Sequence, residues 1–300
     1  MKRHPLSRLA LFILLLGAIM ISYSGVFVKL SEIGPQATGF YRMVLPIPAL
    51  ALWMAIKQRK NSLPSPPMTK KMWLAVGFAG FFLALDLIVW HWSLKRIPVG
   101  AATLLGNTAP FWVALTGYLL FGEKFTYRFI LGMCVAFLGA LALIAGGSDG
   151  LSGGEWLGYV LALIAGMGYG GYLRGVSQAR AELNNSQVMF YSAVFAALTL
   201  FPVMLLAEDQ YWPVTLSGWG VVLGLAYMSQ LLGQGLIGWA MGHLPAAFSA
   251  VSLLINPVAA ALFAWATLGE RLSFIQILGG IAVLAGIMLA RPKRGKSHAA

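Results

Sequence analysis

Apolar segments of roughly 20 residues recur along this 300-residue chain, and they constrain its fold more than any other feature. About 20 residues are what an α-helix needs to cross ~30 Å of hydrocarbon. The connections between the segments are short, so no separate soluble domain is expected. Ten membrane-spanning helices are predicted, at residues 9–30, 36–57, 72–93, 98–121, 127–146, 154–174, 186–206, 217–240, 245–267 and 273–290.

The composition agrees with an integral membrane protein. Hydrophobic residues make up 59 % of the chain and charged residues 10 %, which leaves too little polar surface for a water-soluble globule. The single cysteine excludes a disulfide framework, and the four histidines lack the spacing of metal ligands. Basic residues precede the first apolar run, as in a secretory signal, but this run is about twice the usual length. We interpret it as the first span.

Positive charges fall mostly on one side of the predicted membrane. With the N-terminus in the cytoplasm, sixteen of the 21 Lys and Arg residues lie on the cytoplasmic side, including Arg174 at the end of the sixth span. Both termini are then cytoplasmic, as in a multi-pass protein of the bacterial inner membrane. This topology explains the net charge of +12, so no nucleic-acid partner is expected. The expected partners are the lipid bilayer and a small-molecule substrate, while the oligomeric state is left open.

The second half of the chain repeats the first. The stretch FGEKFTYRFILG at 121–132 returns as LGERLSFIQILG at 268–279, which is 147 positions later. Five spans lie in each half, and because five is odd, the two halves are inverted relative to one another. We therefore predict an all-α membrane protein with two inverted five-helix repeats, residues 1–147 and 148–300, around a central cavity. Such a pair of repeats is typical of a carrier that works by alternating access.

Each half also carries the same motif. Pro110 is followed after eleven residues by Gly-Glu-Lys, and Pro257 is followed after eleven residues by Gly-Glu-Arg, with a glycine-rich fifth span behind each. This pattern resembles the drug/metabolite transporter superfamily, in particular its EamA-type exporters. The resemblance implies a secondary transporter that exports amino acids or other small metabolites, and the YddG-type aromatic amino acid exporters are similar in size. Carriers of nucleotide sugars, phosphorylated metabolites and drugs share the ten-helix plan, so these substrates stay open.

Other function classes lack sequence support. A channel would need a ring of like charge or a carbonyl filter, and an enzyme would need a catalytic constellation; neither pattern is present. Residues 166–171 match G-x-G-x-x-G, but they lie inside an apolar helix and follow no strand, so no nucleotide cofactor is expected. The sequence therefore favours a carrier that is not an enzyme and needs no cofactor or metal.

Glycines seven residues apart recur in the fifth and tenth spans. Gly132 and Gly139 correspond to Gly279 and Gly286 under the shift of 147 residues. Each pair occupies one helical face, where the absent side chains let two backbones approach. We expect these two spans to pack together as peripheral supports.

Polar residues that share a helical face are the candidate walls of the cavity, because hydrocarbon tolerates polar atoms mainly where they meet partners or water. Arg42 and Asp86 each lie roughly 6 Å outward of the centre of a span, so they can pair. The alternatives are a structural ion pair, structural hydrogen bonds and, at the prolines, a static kink. The candidate substrate-binding residues are Tyr23, Ser24, Arg42, Asp86, Trp90, Asn107, Tyr169, Tyr172, Tyr227, Gln230, Gln234, Ser252 and Asn256, and the candidate hinges are Pro110 and Pro257.

Overall fold

The computed structural model describes residues 6–60, 68–97, 99–145, 155–268 and 273–292. Every regular element within these ranges is a helix, as the sequence predicts. The helices are α1 (Leu6–Ser22), α2 (Ser24–Leu30), α3 (Pro35–Val44), α4 (Ile47–Lys60), α5 (Lys70–Leu94), α6 (Val99–Gly106), α7 (Ala109–Phe121), α8 (Tyr127–Ala145), α9 (Trp156–Glu182), α10 (Asn185–Ala207), α11 (Leu216–Gly224), a π-helix π1 (Leu225–Gln234), α12 (Gly235–Met241), α13 (Ala246–Ser252), α14 (Ile255–Leu268) and α15 (Phe274–Ala290).

Nine stretches of the described chain are long and apolar enough to cross a membrane, and each overlaps one predicted span. The tenth predicted span corresponds to α15, an apolar helix of 17 residues, so the count of ten stays a prediction. Helix α9 ends at Glu182 rather than at residue 174, because its last turns pack against α5. The boundary predicted between residues 147 and 148 lies outside the described residues.

Several spans are interrupted along their length. The second breaks before Pro46, the fourth before Ala109 and Pro110, and the ninth before Ile255 and Pro257. A proline lacks the N–H for the helical hydrogen bond, and its ring clashes with the carbonyl four residues earlier, so each break precedes the ring. The eighth span is interrupted differently, by π1, whose hydrogen bonds join residues five apart. Whether Pro110 and Pro257 act as hinges stays a prediction.

The glycine pairs of α8 and α15 face each other. A Cβ added to Gly139 would lie 2.7 Å from the carbonyl oxygen of Gly279, and a Cβ added to Gly279 would lie 2.7 Å from the carbonyl oxygen of Gly139. Gly132 meets Gly286 in the same way, at 2.6 Å. The helices therefore run antiparallel in backbone contact, and the packing role predicted for these glycines is the one they have.

Two other helix pairs make corresponding contacts. Helix α9 approaches α5 where a Cβ on Gly168 would lie 3.0 Å from the backbone nitrogen of Asp86. Likewise α1 approaches π1 where a Cβ on Gly233 would lie 2.7 Å from the side chain of Ile21. The shift of 147 residues maps Asp86 onto Gly233 and Ile21 onto Gly168. Two contacts between the halves are thus equivalent under this shift, because each joins the position of Asp86 or Gly233 in one half to the position of Gly168 or Ile21 in the other.

Candidate functional site

A cluster of polar and charged side chains lies where α3, α5, α9 and π1 meet. Arg42 of α3 is only 5 % exposed, and it interacts electrostatically with Asp86 of α5 and with both Tyr169 and Tyr172 of α9. Gln234, the last residue of π1, is within hydrogen-bonding distance of both tyrosines. The structure thus brings together five residues that were singled out in the sequence.

The tyrosines and Gln234 form a short hydrogen-bonded chain. The hydroxyl of Tyr172 donates to Oε1 of Gln234 at 3.3 Å, and Nε2 of Gln234 donates to the hydroxyl of Tyr169 at 3.4 Å. The two rings stack with centroids 5.7 Å apart and an angle of 27° between their planes. Together they provide a flat aromatic surface beside the charged groups.

Arg42 and Asp86 are neighbours without a direct ion pair. Among the described residues, no nitrogen of Arg42 comes within 4.0 Å of the Asp86 carboxylate, and Nε of Arg42 is buried without a hydrogen-bond partner. Two buried charges that only stabilise a fold should be in contact, because each otherwise loses its hydration without compensation. Because Arg42 and Asp86 are not in contact, the guanidinium and the carboxylate can each bind a group of a ligand.

The local structure explains why these groups lie here. The break before Pro46 ends α3 at Val44, which places Arg42 in the last turn. Free carbonyls at a helix C-terminus carry partial negative charge, and they favour a cation at this position. On the other side, the missing side chain of Gly168 lets α9 approach the backbone of Asp86, and this approach puts the adjacent Tyr169 within electrostatic range of the carboxylate.

Other candidate residues satisfy their polar atoms within their own helices. Nδ2 of Asn107 donates to the carbonyl of Thr103 at 2.8 Å, and Oγ of Ser252 donates to the carbonyl of Phe248 at 2.9 Å. In contrast, Oε1 of Gln230, like an oxygen of Asn256, is buried without a partner. Hydrogen bonding therefore divides the candidates into satisfied and free groups.

Tyr23 and Trp90 lie outside the cluster. Tyr23, half-buried beside Ser24, packs edge-on against Phe263 with centroids 5.0 Å apart. Trp90, also half-buried, lies on the face of α5 that meets Gly106. Neither ring is tied to Arg42 by a contact seen in the structure.

Tyr227 lies on the exposed side of π1. It is 38 % exposed, and its hydroxyl donates to the carbonyl of Leu45 at 3.4 Å. The sequence interpretation placed it on one face with Gln230 and Gln234 because residues three and seven apart share a face of an α-helix. A π-helix has more residues per turn, so the same spacing points side chains in different directions.

Sequence reasoning missed three buried polar residues, Gln36, His91 and Arg174. Gln36 and His91 had no pattern to distinguish them, and both are buried. Arg174 was placed at the cytoplasmic end of the sixth span, but α9 continues past it to Glu182. Its side chain is 8 % exposed and pairs with Glu123 at 2.5 and 2.9 Å. The sequence did contain a hint of this pair. The Gly-Glu-Lys motif places an acidic residue, Glu123, at the end of a span, where a basic partner could be expected. Its counterpart Glu270 lies outside the described residues.

Two cavities lie apart from the polar cluster, and one of them opens at the end of the helices. It measures about 480 Å³ and opens between the first turns of α5, the end of α7 and the last turns of α9, where Lys71, Phe78, Phe121 and Glu182 line it. A second cavity of about 350 Å³ is an apolar groove between α8 and α15. These two cavities have the volume for a ligand, but the unpaired charges and the free hydrogen-bonding groups lie in the polar cluster. The polar cluster is therefore the better candidate for the substrate site.

Comparison with known proteins gives a consistent result. Residues 8–145 and 156–291 each match the EamA-like transporter family. The pseudopaline exporter CntI of Pseudomonas aeruginosa is 30 % identical over 218 residues, which is 72 % of this chain and 74 % of CntI. A probable terminal-alkyne amino-acid exporter of Streptantibioticus cattleyicolor is 27 % identical over 67 % of both chains.

More distant matches extend the picture. UDP-uronic acid transporter 1 of Arabidopsis thaliana is 26 % identical over 50 % of this chain and 48 % of its own length. A solved crystal structure superimposes with a TM-score of 0.76, covering 94 % of this chain and 96 % of the other at 17 % identity. At that identity the likeness concerns the fold alone.

Proposed function

Because this chain belongs to the EamA-like transporter family, whose members are transporters and not enzymes, we propose that it exports amino acids or amino-acid-like metabolites. The observation that carries the proposal is the buried Arg42 and the half-buried Asp86, which form no ion pair with each other, beside the stacked Tyr169 and Tyr172. An amino acid presents a carboxylate to the guanidinium and an ammonium to the carboxylate, and the aromatic surface suits an apolar side chain.

Alternating access would follow from two inverted five-helix repeats, and several features support this arrangement. The family matches the chain twice, once in each half. The equivalent glycines of α8 and α15 meet crosswise, as a two-fold axis between two copies requires. The contacts Asp86–Gly168 and Gly233–Ile21 both join the two halves, and the shift of 147 residues exchanges one for the other. In this proposal Pro110 and Pro257 are the bend points, and the orientation is the one with both termini in the cytoplasm of a bacterial cell.

The remaining candidate residues are proposed to line the path of the substrate. Gln230 and Asn256 have buried oxygen atoms without partners, so they are the stronger members of this group. Tyr23, Ser24, Trp90, Asn107, Tyr227 and Ser252 complete the set.

The similarity to a UDP-uronic acid transporter supports a second candidate, a carrier of nucleotide sugars. A diphosphate with a sugar acid carries several negative charges. The cluster offers one guanidinium, and an acidic side chain lies beside it. Two phosphates next to Asp86 would experience repulsion, so the amino-acid class fits the site better.

The test uses ligands that lack one charged group each. Purified protein in liposomes is assayed by counterflow and by ligand binding with phenylalanine, with phenylpropionate, which lacks the ammonium, and with phenethylamine, which lacks the carboxylate. We expect phenylalanine to bind more tightly than either fragment. Asp86→Asn should remove the preference over phenylpropionate, and Arg42→Gln should remove the preference over phenethylamine.

The exposed Arg128 supplies the matched control. Arg128→Gln should leave both preferences as in the parent. A structural pair would behave differently, because the single variants would lose folded yield and the double variant would recover part of it. If Arg42→Gln and Asp86→Asn both fold and transport like the parent, neither residue binds substrate.

A further inference from the structure

Two buried polar side chains, Gln36 and His91, lie in the interface between α3 and α5. Gln36 is fully buried, and its Nε2 donates to the carbonyl of Ile88 at 3.1 Å. His91 is 1 % exposed and lies three residues after Ile88, on the same face of α5. Arg42 interacts electrostatically with both His91 and Asp86, which lie five residues apart on α5.

The imidazole of His91 occupies space that a glycine leaves free. A Cβ added to Gly39 would lie 3.1 Å from Cε1 and 3.4 Å from Nδ1 of this ring. Gly39 follows Gln36 by three residues, so both face α5 from one side of α3. The Gln36 amide and the His91 ring therefore occupy adjacent turns of the same interface.

The polar atoms in this interface are not satisfied by the protein. Both ring nitrogens of His91, Oε1 of Gln36 and Nε of Arg42 are buried without a hydrogen-bond partner. The hydrogen bond to Ile88 fixes the orientation of the Gln36 amide, because a carbonyl only accepts. A protein that retains such atoms in its interior sacrifices stability, which is a sign of a ligand site.

The free atoms define the chemistry of a ligand. Arg42 offers a donor, Gln36 offers an acceptor, and a neutral His91 offers one donor and one acceptor. A carboxylate accepts only, so it would leave the Gln36 oxygen facing another acceptor. An ammonium donates only and would lie next to the Arg42 cation. A neutral hydroxyl or carboxamide both donates and accepts, and it matches all three residues.

We propose that Gln36 and His91, with Nε of Arg42, form a subsite that binds a hydroxyl or carboxamide on the side chain of the substrate. The inference rests on the proposed function, and it narrows the substrate class to amino acids with a neutral polar side chain. Arg42 then binds two groups of the same substrate. Its terminal amino groups bind the substrate carboxylate, and its Nε binds the polar substituent of the side chain.

The test compares amino acids of matched shape. Threonine has a hydroxyl where valine has a methyl, and asparagine has a carboxamide where leucine has an isopropyl group. Dissociation constants of the four are measured on the purified full-length protein in detergent. We expect the parent to bind threonine over valine, and asparagine over leucine, by about 10- to 100-fold, because the apolar analogue leaves buried donors and acceptors unpaired.

Variants assign this preference to the residues. His91→Leu and Gln36→Leu should reduce both ratios to about threefold or less, with valine and leucine bound as well as before or better. His91→Gln keeps a donor and an acceptor and should retain part of the preference. His243→Leu is the matched control, because His243 is half-buried and its Nδ1 contacts the carbonyl of Trp239.

Folding separates a binding role from a structural one. Removing an unsatisfied polar ring should leave the melting temperature of His91→Leu unchanged or raise it. Gly39→Ala, which crowds the ring, gives a second route if His91→Leu fails to fold, and it should also weaken the preference. A melting temperature that falls together with unchanged ratios would assign His91 to structure and overturn the subsite.

The remaining outcomes distinguish a failure of the subsite from a failure of the proposed amino-acid export. A parent that binds all four amino acids without preference overturns the subsite and leaves the proposed function standing. A parent that binds none of the four, nor phenylalanine, overturns both. Ratios that His91→Leu and Gln36→Leu leave unchanged show that the polar substituent is recognised elsewhere.

Discussion

Glu123→Ala is expected to destabilise the protein by removing the carboxylate that neutralises Arg174. In the structure, Nη1 of Arg174 donates to Oε1 of Glu123 at 2.5 Å, and Nη2 donates to Oε2 at 2.9 Å. Nε also donates to the carbonyl of Val113 at 3.1 Å, and the guanidinium lies 5.3 Å from the ring centre of Phe121. The pair therefore fastens α9 to the end of α7.

The size of the effect follows from the burial of the two partners. Removing one partner of a buried ion pair costs about 3–5 kcal/mol, because the other charge is left uncompensated. The Arg174 side chain is 8 % exposed, but Glu123 is 38 % exposed, so water can replace part of the lost interaction. We therefore expect a loss of about 3 kcal/mol, or roughly 150-fold in the unfolding equilibrium.

The assay is unfolding by SDS in mixed micelles, followed by tryptophan fluorescence. Arg174→Met removes the cation and should cost less than Glu123→Ala, because the partly exposed carboxylate can be hydrated. The double variant should recover about 2 kcal/mol relative to the sum of the single losses. Lys124→Ala is the control, since Lys124 is exposed in the same loop, and it should stay within about 0.5 kcal/mol of the parent.

Two results would refute this reasoning. If Glu123→Ala unfolds within about 0.5 kcal/mol of the parent, water already stabilises Arg174 and the pair contributes no net stability. If the single losses simply add in the double variant, the two side chains act independently despite their contact.

Three further predictions concern packing, bending and acid stability. Gly139→Val should destabilise the protein by about 1–3 kcal/mol or more in SDS unfolding, because its Cβ would lie 2.7 Å from the Gly279 carbonyl. Pro110→Ala and Pro257→Ala should slow counterflow more than they weaken substrate binding, because a bend point affects conversion between states. Hydrogen bonds from the hydroxyl and backbone of Thr215 lower the pKa of Glu32, so its stabilisation is present above the unfolded pKa and is lost as the pH falls through the folded pKa. Glu32→Gln should remove that part of the acid-induced fall in melting temperature.

Each of these predictions has a control. Gly220→Val adds a side chain where a Cβ meets nothing within 4 Å, so a loss equal to that of Gly139→Val would point to a general effect of valine. Equal losses of flux and binding in the proline variants would indicate a static kink. Asp209→Asn changes an exposed acid near the same surface. A pH dependence that Glu32→Gln leaves untouched would contradict the assigned hydrogen bonds.

The sequence by itself determined that this is a helical membrane protein, and it determined the family. Apolar segments about as long as the bilayer is thick leave helices as the simplest way to pair every backbone group, and every regular element in the described ranges is a helix. The motif that follows Pro110 and Pro257 indicated EamA-type exporters, and the family match confirms it. The glycine pairs were also readable, because a spacing of seven residues defines one helical face whatever the neighbour is.

The charged part of the candidate site was accessible for a similar reason. Charges inside a span are so costly that Arg42 and Asp86 stood out, and their depth could be counted along each helix. Their neighbours Tyr169 and Tyr172 were identified only as one aromatic face among several. The hydrogen bonds through Gln234 became visible only in three dimensions.

Only the tertiary structure decided which helical faces meet. The proposed subsite at His91 exists because α5 is rotated so that this ring faces Gly39. Likewise, Arg174 can reach Glu123 because it lies inside α9 on the face toward the end of α7. The outward position of Tyr227 depends on a change from α- to π-helical hydrogen bonding. Local periodicity specifies which residues share a face, but the rotation of each helix and its partner are set by side-chain shape across the interface. That information is distributed over residues far apart in the chain.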